Sequence, residues 1–153
     1  MSEPVLAIPV PRDSKTAENL KIAFEIEARS NDRFLYFAEV AENAKDSQAT
    51  TAFKAIAEDK HKYAQGHLKE HIKGGLGDPD SGKPSMDLYQ VLDAAIAGEL
   101  QKSWKMYSQM AEDAKNDNLP HLEQWFNSLA TQTDRHRQTF EDLIKAFRDP
   151  RPQ

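Results

Sequence analysis

Seven polar side chains interrupt four apolar rows of the sequence, and their types permit two kinds of chemistry. Carboxylates and imidazole rings bind divalent metal ions, whereas lysine ammonium groups pair with carboxylates and repel cations. Each of the seven falls in the middle of a row whose apolar residues recur at three- and four-residue steps, the spacing of one helix face. The seven residues are Glu27, Lys60, Tyr63, Glu99, Lys102, Thr133 and His136.

The apolar rows predict four helices that would bring these side chains to one level of a bundle. The helices are expected over about residues 17–45, 48–73, 86–116 and 119–147. The sequence GGLGDPDSGKPS at residues 74–85 is rich in turn residues and must connect the second helix to the third. Each half contains a helix pair, and the motif AENAK in the first half resembles AEDAK in the second. We therefore expect an all-α four-helix bundle made of two helical hairpins joined by a crossover loop.

The length of the chain predicts one bundle domain between two short terminal segments. A chain of 153 residues has an ordinary size for a single domain, and the helical pattern assigns residues 17–147 to it. Residues 1–16 contain three prolines, which fix the backbone and remove amide donors, so they are expected to form an extended arm. Residues 148–153 contain two more prolines and are expected to form a tail.

The composition limits the partners and the kinds of site. The net charge of −5 provides no broad attraction for nucleic-acid phosphates or anionic lipids. There is no cysteine, which excludes disulfides, thiolate nucleophiles and iron–sulfur clusters. The first residues lack the pattern of a secretion signal, and no apolar run approaches the roughly 20 residues needed to span a bilayer. We therefore expect a cytoplasmic protein with no nucleic-acid or membrane partner.

Two segments of the chain resemble the first and third helices of rubrerythrins. One is EARSNDRFLYFA, which begins at Glu27, and the other is AGE, which ends at Glu99 and is followed by Met106 and Tyr107. The resemblance covers about residues 19–147 and implies a ferritin-like bundle. Members of this family bind two iron ions through glutamates and Glu-x-x-His motifs, and they reduce peroxide or react with oxygen. Their cysteine-rich electron-transfer domain has no counterpart in this sequence.

Three positions match ligand positions of the family. The resemblance implies that Glu27 and Glu99 stand where family members have glutamate ligands. It also implies that His136 stands where they have the histidine of the last motif. We expect no metal at these residual ligand positions, because the residues at the family's other ligand positions do not suit one.

Four positions depart from the family pattern. Lys60 and Tyr63 stand where the resemblance implies glutamate and histidine, while Lys102 and Thr133 each replace a glutamate. A divalent ion about 4 Å from one ammonium group is repelled by roughly 8 kcal/mol at an effective dielectric constant near 20. We therefore expect a metal-free network of glutamate–lysine pairs, without a cofactor. The alternatives are lysines that extend into solvent and a residual site for a single metal ion.

Two other pairs on the second helix could hold a metal. Glu58 and His61 have the Glu-x-x-His spacing but lie on the side of the helix opposite its apolar row, so a solvated face is the favoured interpretation. His67 and His71 lie one turn apart and could bind zinc with a carboxylate from a neighbouring helix. A partly exposed interface is the simpler interpretation of that pair.

These observations favour a protein that has lost its redox centre and retained the bundle as a binding or regulatory scaffold, without catalytic residues. One alternative is a di-metal oxidoreductase with a reduced ligand set, in which iron would be bound. Another is a metal-free redox protein that uses Tyr63 beside Lys60, by analogy with metal-free ribonucleotide reductase small subunits. The resemblance further implies a homodimer, with or without exchange of hairpins, and a protein partner is also possible.

Overall fold

The computed structural model describes residues 8–99 and 104–148, and every regular element in these ranges is helical. The chain divides into two compact units, Met1–Pro79 and Asp80–Gln153. None of the helices in the described ranges is long and apolar enough to cross a membrane. The elements are α1 (Lys15–Asn43), α2 (Ser47–His71), a π-helical turn (Ile72–Leu76), α3 (Leu88–Gly98), α4 (Trp104–Asn116) and α5 (Pro120–Arg148).

The first unit is a hairpin of two long helices. The side chain of Ser14 accepts a hydrogen bond from the amide of Ala17 at the start of α1, and Asp46 does the same for Ala49 at the start of α2. These side chains satisfy amide groups that the first helical turn leaves without partners. Small residues dominate the buried surface between the helices and allow the backbones to approach closely: Ala38, Ala41, Ala57 and Ala64.

A side chain and an aromatic cluster set the register of this hairpin. The side-chain amide of Asn31 donates a hydrogen bond of 2.7 Å to the backbone carbonyl of Ala57, which links α1 directly to the backbone of α2. One turn further along α1, the ring of Phe34 lies with its centroid 5.4 Å from Phe37 and 6.0 Å from Phe53. These contacts fix which turn of α2 lies beside residue 27.

The end of α2 is reshaped by the π-helical turn. Gly75 within this turn has φ of 88°, a conformation that favours glycine. The buried ring of His71 donates a hydrogen bond of 2.7 Å from Nδ1 to the carbonyl oxygen of Gly77. His71 therefore closes the turn that follows its own helix.

The described part of the N-terminal arm packs against this turn. The amide of Val10 donates to the carbonyl oxygen of Gly74 at 2.8 Å, and the guanidinium of Arg12 donates to that of Gly75 at 3.2 Å. A Cβ added at Gly74 would lie 2.7 Å from Cγ2 of Val10. The absence of a side chain at Gly74 is thus what permits this contact.

The second unit contains α3, α4 and α5. The side chain of Asp87 accepts a hydrogen bond from the amide of Gln90 and caps α3. Helix α4 lies along α5, with the rings of Tyr107 and Phe126 stacked at 6.4 Å, and α3 also contacts α5. The sequence predicts one helix over about 86–116. The structure has α3 and α4 in this range, and residues 100–103 between them lie outside the described part.

Candidate polar site

Glu27 and Lys60 form an ion pair between the two helices of the first unit. Glu27 precedes Asn31 by one turn on the side of α1 that faces α2, and Lys60 follows the buried Ala57 on α2. This placement brings Nζ of Lys60 to 3.0 Å from Oε2 of Glu27. The Lys60 side chain is 29% exposed and that of Glu27 is 20% exposed, so both charges are partly withdrawn from water.

The inner oxygen of this carboxylate retains unused hydrogen-bonding capacity. Within the described part of the chain, Oε2 of Glu27 is buried and accepts no hydrogen bond with acceptable geometry. The close approach of Lys60 to the same atom is consequently an ionic contact and not a directed hydrogen bond. The nearby ammonium group of Lys60 offsets part of the cost of withdrawing this carboxylate from water.

Tyr63 lies beside the same ammonium group. Nζ of Lys60 is 5.9 Å from the centroid of the Tyr63 ring, within the range of a cation–π interaction. The ring itself is 51% exposed. The ammonium group of Lys60 therefore interacts with both a carboxylate and an aromatic ring.

In the second unit, Glu99 and Thr133 line one cavity of about 210 Å³. Thr133 is buried, with 5% of its surface exposed, on the side of α5 that packs within the unit. Trp104, Asp134 and Arg137 complete the lining. The structure therefore brings together two of the predicted residues in this unit.

The remaining predicted residues of the second unit are not joined to this pair by the described contacts. His136 is exposed on α5, although Thr133 one turn earlier is buried. Lys102 lies outside the described residues. The wider network that includes Lys102 and His136 stays a prediction.

Arg137 is a feature of the cavity wall that the sequence did not single out. Its guanidinium donates two hydrogen bonds to Oδ1 of Asp134, at 2.8 and 3.1 Å, and one to Glu141 at 2.8 Å. The hydrogen bond with Asp134, followed by that with Glu141, raises the pKa of Arg137 above its ordinary value. The spacing of three and four residues along α5 is the sequence signal that could have identified this group.

The alternative metal pairs on α2 differ in their surroundings. Glu58 and His61 are exposed, as the position of the apolar row predicts. His67 is partly buried, while His71 is buried and uses Nδ1 to bind the carbonyl oxygen of Gly77. Among residues 8–99 and 104–148, no group of three or more His, Asp and Glu side chains is close enough together to hold a metal ion.

Comparison with known proteins gives consistent similarities along most of the chain. A family profile described as Rubrerythrin matches residues 90–152. Rubrerythrin-2 of Clostridium acetobutylicum is 29% identical over 134 residues, which cover 86% of this chain and 73% of that protein. Rubrerythrin of Nitratidesulfovibrio vulgaris is 24% identical over 143 residues, covering 92% and 74% of the two chains. Rubrerythrin of Clostridium perfringens is 26% identical over 140 residues, covering 88% and 72%.

Proposed function

Because the chain is a divergent member of the rubrerythrin family with an all-helical, ferritin-like fold, we propose that it is a metal-free binding or regulatory scaffold. In this proposal the polar centre of the bundle is neutralised by its own side chains. The helices then serve to present surfaces to a partner and not to hold a redox cofactor.

The observation that carries the proposal is the contact of Lys60 with Glu27. A distance of 3.0 Å from Nζ to Oε2 places an ammonium group where a cation bound by this carboxylate would lie. A metal ion at Glu27 would have to displace the ammonium group of Lys60, because the two positive charges repel each other. The proposal predicts that the carboxylate is committed to Lys60 under ordinary conditions.

The donor set does not fit a pair of iron ions. Thr133 and Tyr63 offer neutral hydroxyl groups where the family pattern has a carboxylate and an imidazole. Lys60, and Lys102 in the sequence, add positive charge where a di-iron centre relies on several anionic ligands. We therefore derive no chemical step through iron.

The pair of Glu27 and Lys60 is better suited to selecting one alignment of the helices than to stabilising the fold strongly. Removing both charges from water opposes folding and can cancel most of their mutual attraction. A misaligned hairpin, however, would leave Glu27 without Lys60 in a partly buried position, which is costly. The pair thus favours one register of α1 against α2, a property that a scaffold requires.

Metal content tests this proposal directly. Protein produced with abundant iron and purified without chelators is expected to contain far less than one iron per chain by elemental analysis. Two ions per chain in the unmodified protein would refute the proposal.

A gain-of-metal variant shows whether the assigned positions are correct. Restoring the family ligands is expected to produce iron binding that the parent lacks, because it replaces both ammonium groups with carboxylates. The variant carries Lys60→Glu, Tyr63→His, Lys102→Glu and Thr133→Glu. A control with the same change in net charge at exposed positions carries Lys54→Glu, Lys105→Glu and Thr131→Glu, and it should bind no iron.

The second candidate function is an oxidoreductase with a reduced ligand set. The unused buried oxygen of Glu27 favours it, because this atom could accept a cation if Lys60 moved away. Rapid consumption of peroxide by protein with stoichiometric iron would support this candidate over the scaffold. The exposure of Tyr63 weighs against a protected tyrosyl radical, and electron paramagnetic resonance of the purified protein should show no such signal.

A further inference from the structure

The cavity of the second unit contains a carboxylate that has no ion-pair partner in the described part of the chain. Glu99 immediately follows α3 and lies in the cavity wall together with Trp104, the first residue of α4. No basic side chain within residues 8–99 and 104–148 forms an ion pair with Glu99. Because Glu99 is partly buried, a cationic partner would offset the cost of withdrawing its charge from water.

The first unit shows which kind of partner suits such a carboxylate. There the ammonium group of Lys60 lies 3.0 Å from the carboxylate of Glu27 and 5.9 Å from the centroid of the Tyr63 ring. The cavity of the second unit offers the same two kinds of group, a carboxylate at Glu99 and an aromatic ring at Trp104. The indole of tryptophan attracts cations more strongly than the ring of tyrosine does. The cavity therefore provides the surroundings of an ammonium group in a space that a separate molecule can enter.

The charge of the cavity wall favours a cation over an anion. The guanidinium of Arg137 is already hydrogen-bonded to the carboxylates of Asp134 and Glu141. These three side chains carry one positive and two negative charges, and Glu99 adds another negative charge. An anion at Arg137 would have to compete with both of its carboxylate partners, whereas a cation would be attracted by the net negative charge.

The lining and the size of the cavity suit a small organic cation better than a metal ion. Divalent ions require several oxygen or nitrogen ligands, and the described ranges contain no group of three or more His, Asp and Glu side chains that could supply them. The indole of Trp104 is 51% exposed and offers an apolar face instead. The volume of about 210 Å³ is smaller than the roughly 300–1,000 Å³ of sites for drug-sized molecules. The expected occupant is therefore compact and partly apolar.

We propose that this cavity binds a compact primary amine in its protonated form. The ammonium group of the ligand donates hydrogen bonds to the carboxylate of Glu99, with Asp134 as a second acceptor, and its apolar body lies against Trp104. This inference rests on the proposed binding function and deepens it, because it names the chemical class of the ligand. It also requires that the cavity hold no iron.

Isothermal titration calorimetry with 2-phenylethylammonium tests the chemical class of the ligand. This compact cation is expected to bind with a dissociation constant of about 1 mM or less. Two controls of similar shape are 2-phenylethanol, which has a neutral hydroxyl group in place of the ammonium, and 3-phenylpropionate, which is an anion. Both are expected to bind at least about tenfold more weakly. Equal or tighter binding of either control would overturn the proposal.

Two matched pairs of variants test the position of the site. Glu99→Gln is expected to raise the dissociation constant by about tenfold or more, whereas Glu112→Gln removes the same charge from an exposed position of α4 and should have no effect. Trp104→Leu is expected to raise the dissociation constant severalfold, whereas Trp125→Leu should not, although the Trp125 side chain is similarly exposed at 57%. Equal effects within either pair would contradict the assignment.

Lys102 provides a further test, because the sequence predicts it in a network with Glu99 and it lies outside the described residues. An ammonium group paired with Glu99 would compete with the amine. The variant Lys102→Met is therefore expected to bind 2-phenylethylammonium as tightly as the parent or more tightly. Loss of binding in this variant would overturn the proposal, because it would mean that the ligand is recognised by a positive charge.

The iron content of the same sample separates this inference from the scaffold proposal. Iron-free protein that binds no amine at concentrations up to about 10 mM would overturn the amine site and leave the scaffold proposal intact. Protein that contains stoichiometric iron would overturn both, because the amine site requires a metal-free centre. Iron-free protein that binds the amine, and loses this binding in Glu99→Gln but not in Glu112→Gln, would support both.

Discussion

At the scale of single residues, the character of the polar site depends on Lys60. It contacts the carboxylate of Glu27 at 3.0 Å and lies 5.9 Å from the ring centroid of Tyr63. A neutral residue of similar length would remove the only charge that the described contacts bring to the buried oxygen of Glu27. The effect of such a change measures how strongly the carboxylate depends on its partner.

Replacing Lys60 by methionine should lower the free energy of unfolding by about 1–3 kcal/mol, because a partly buried carboxylate loses its partner. Adding Glu27→Gln should restore most of this loss, since an uncharged pair has little desolvation cost. Urea unfolding of the two variants and the parent measures both effects. An unchanged stability of Lys60→Met would mean that the lysine extends into solvent.

The charge pair could be predicted from sequence because each partner belongs to a regular row. Glu27 continues the row of Phe34, and Lys60 continues the row of Phe53, so helical spacing alone places them on facing surfaces. The hydrogen bonds of Arg137 to Asp134 and Glu141 also follow from their spacing along α5. The contact of His71 with Gly77 could not be predicted, because it depends on a turn of irregular geometry.

At the scale of elements, the caps and junctions of the helices explain which helix boundaries predicted from the sequence agree with the structure. The sequence predicts a helix beginning at about residue 48, and α2 begins at Ser47, with Asp46 as its cap. The helix ends are within about two residues of the predicted positions in α1, α2 and α5. The π-helical turn after α2 was not predicted, because it is fixed by the arm that packs on it.

The contact of the arm with the π-helical turn predicts that alanine will change stability in opposite directions at Gly74 and Gly66. Gly74→Ala should lower the free energy of unfolding by about 1–3 kcal/mol, because the new methyl group would lie 2.7 Å from Cγ2 of Val10. Combining it with Val10→Ala should recover part of the loss. Gly66→Ala is the control, since nothing lies within 4 Å of its Cβ and the change should stabilise α2 by about 0.5–1 kcal/mol.

Thermal or chemical unfolding of these variants measures the contrast. Equal effects at Gly74 and Gly66 would show that the arm does not hold the turn. Recovery in the double variant, by contrast, would attribute the loss to contact with Val10 and not to helix propensity.

At the scale of the whole molecule, the sequence was sufficient to predict the resemblance to rubrerythrins and the helical class, and both are confirmed. These properties follow from patterns repeated over many residues. Association between copies is harder to predict from the sequence, because helical periodicity alone does not show what binds an exposed surface. The loss of the metal centre likewise stays a prediction, because it concerns binding and not helix formation.

The response of the melting temperature to metal tests the molecule as a whole. A ligand that binds only the folded state at 100 times its dissociation constant stabilises that state by about 2.7 kcal/mol, which corresponds to roughly 5–10 °C in a protein of this size. Ferrous iron under anaerobic conditions should leave the melting temperature of the parent unchanged. It should raise that of the gain-of-metal variant by several degrees, and the charge-matched control should behave like the parent.

The hydrogen bond from Asn31 to the carbonyl of Ala57 has a consequence for how this hairpin can change over evolutionary time. Its acceptor is main chain, so replacement of the side chain at residue 57 does not remove it. Slippage of α2 by a turn would be opposed even in a descendant that had lost the neighbouring ion pair. Substitutions at residues 27 and 60 can therefore accumulate in either order, through intermediates that still align their helices correctly.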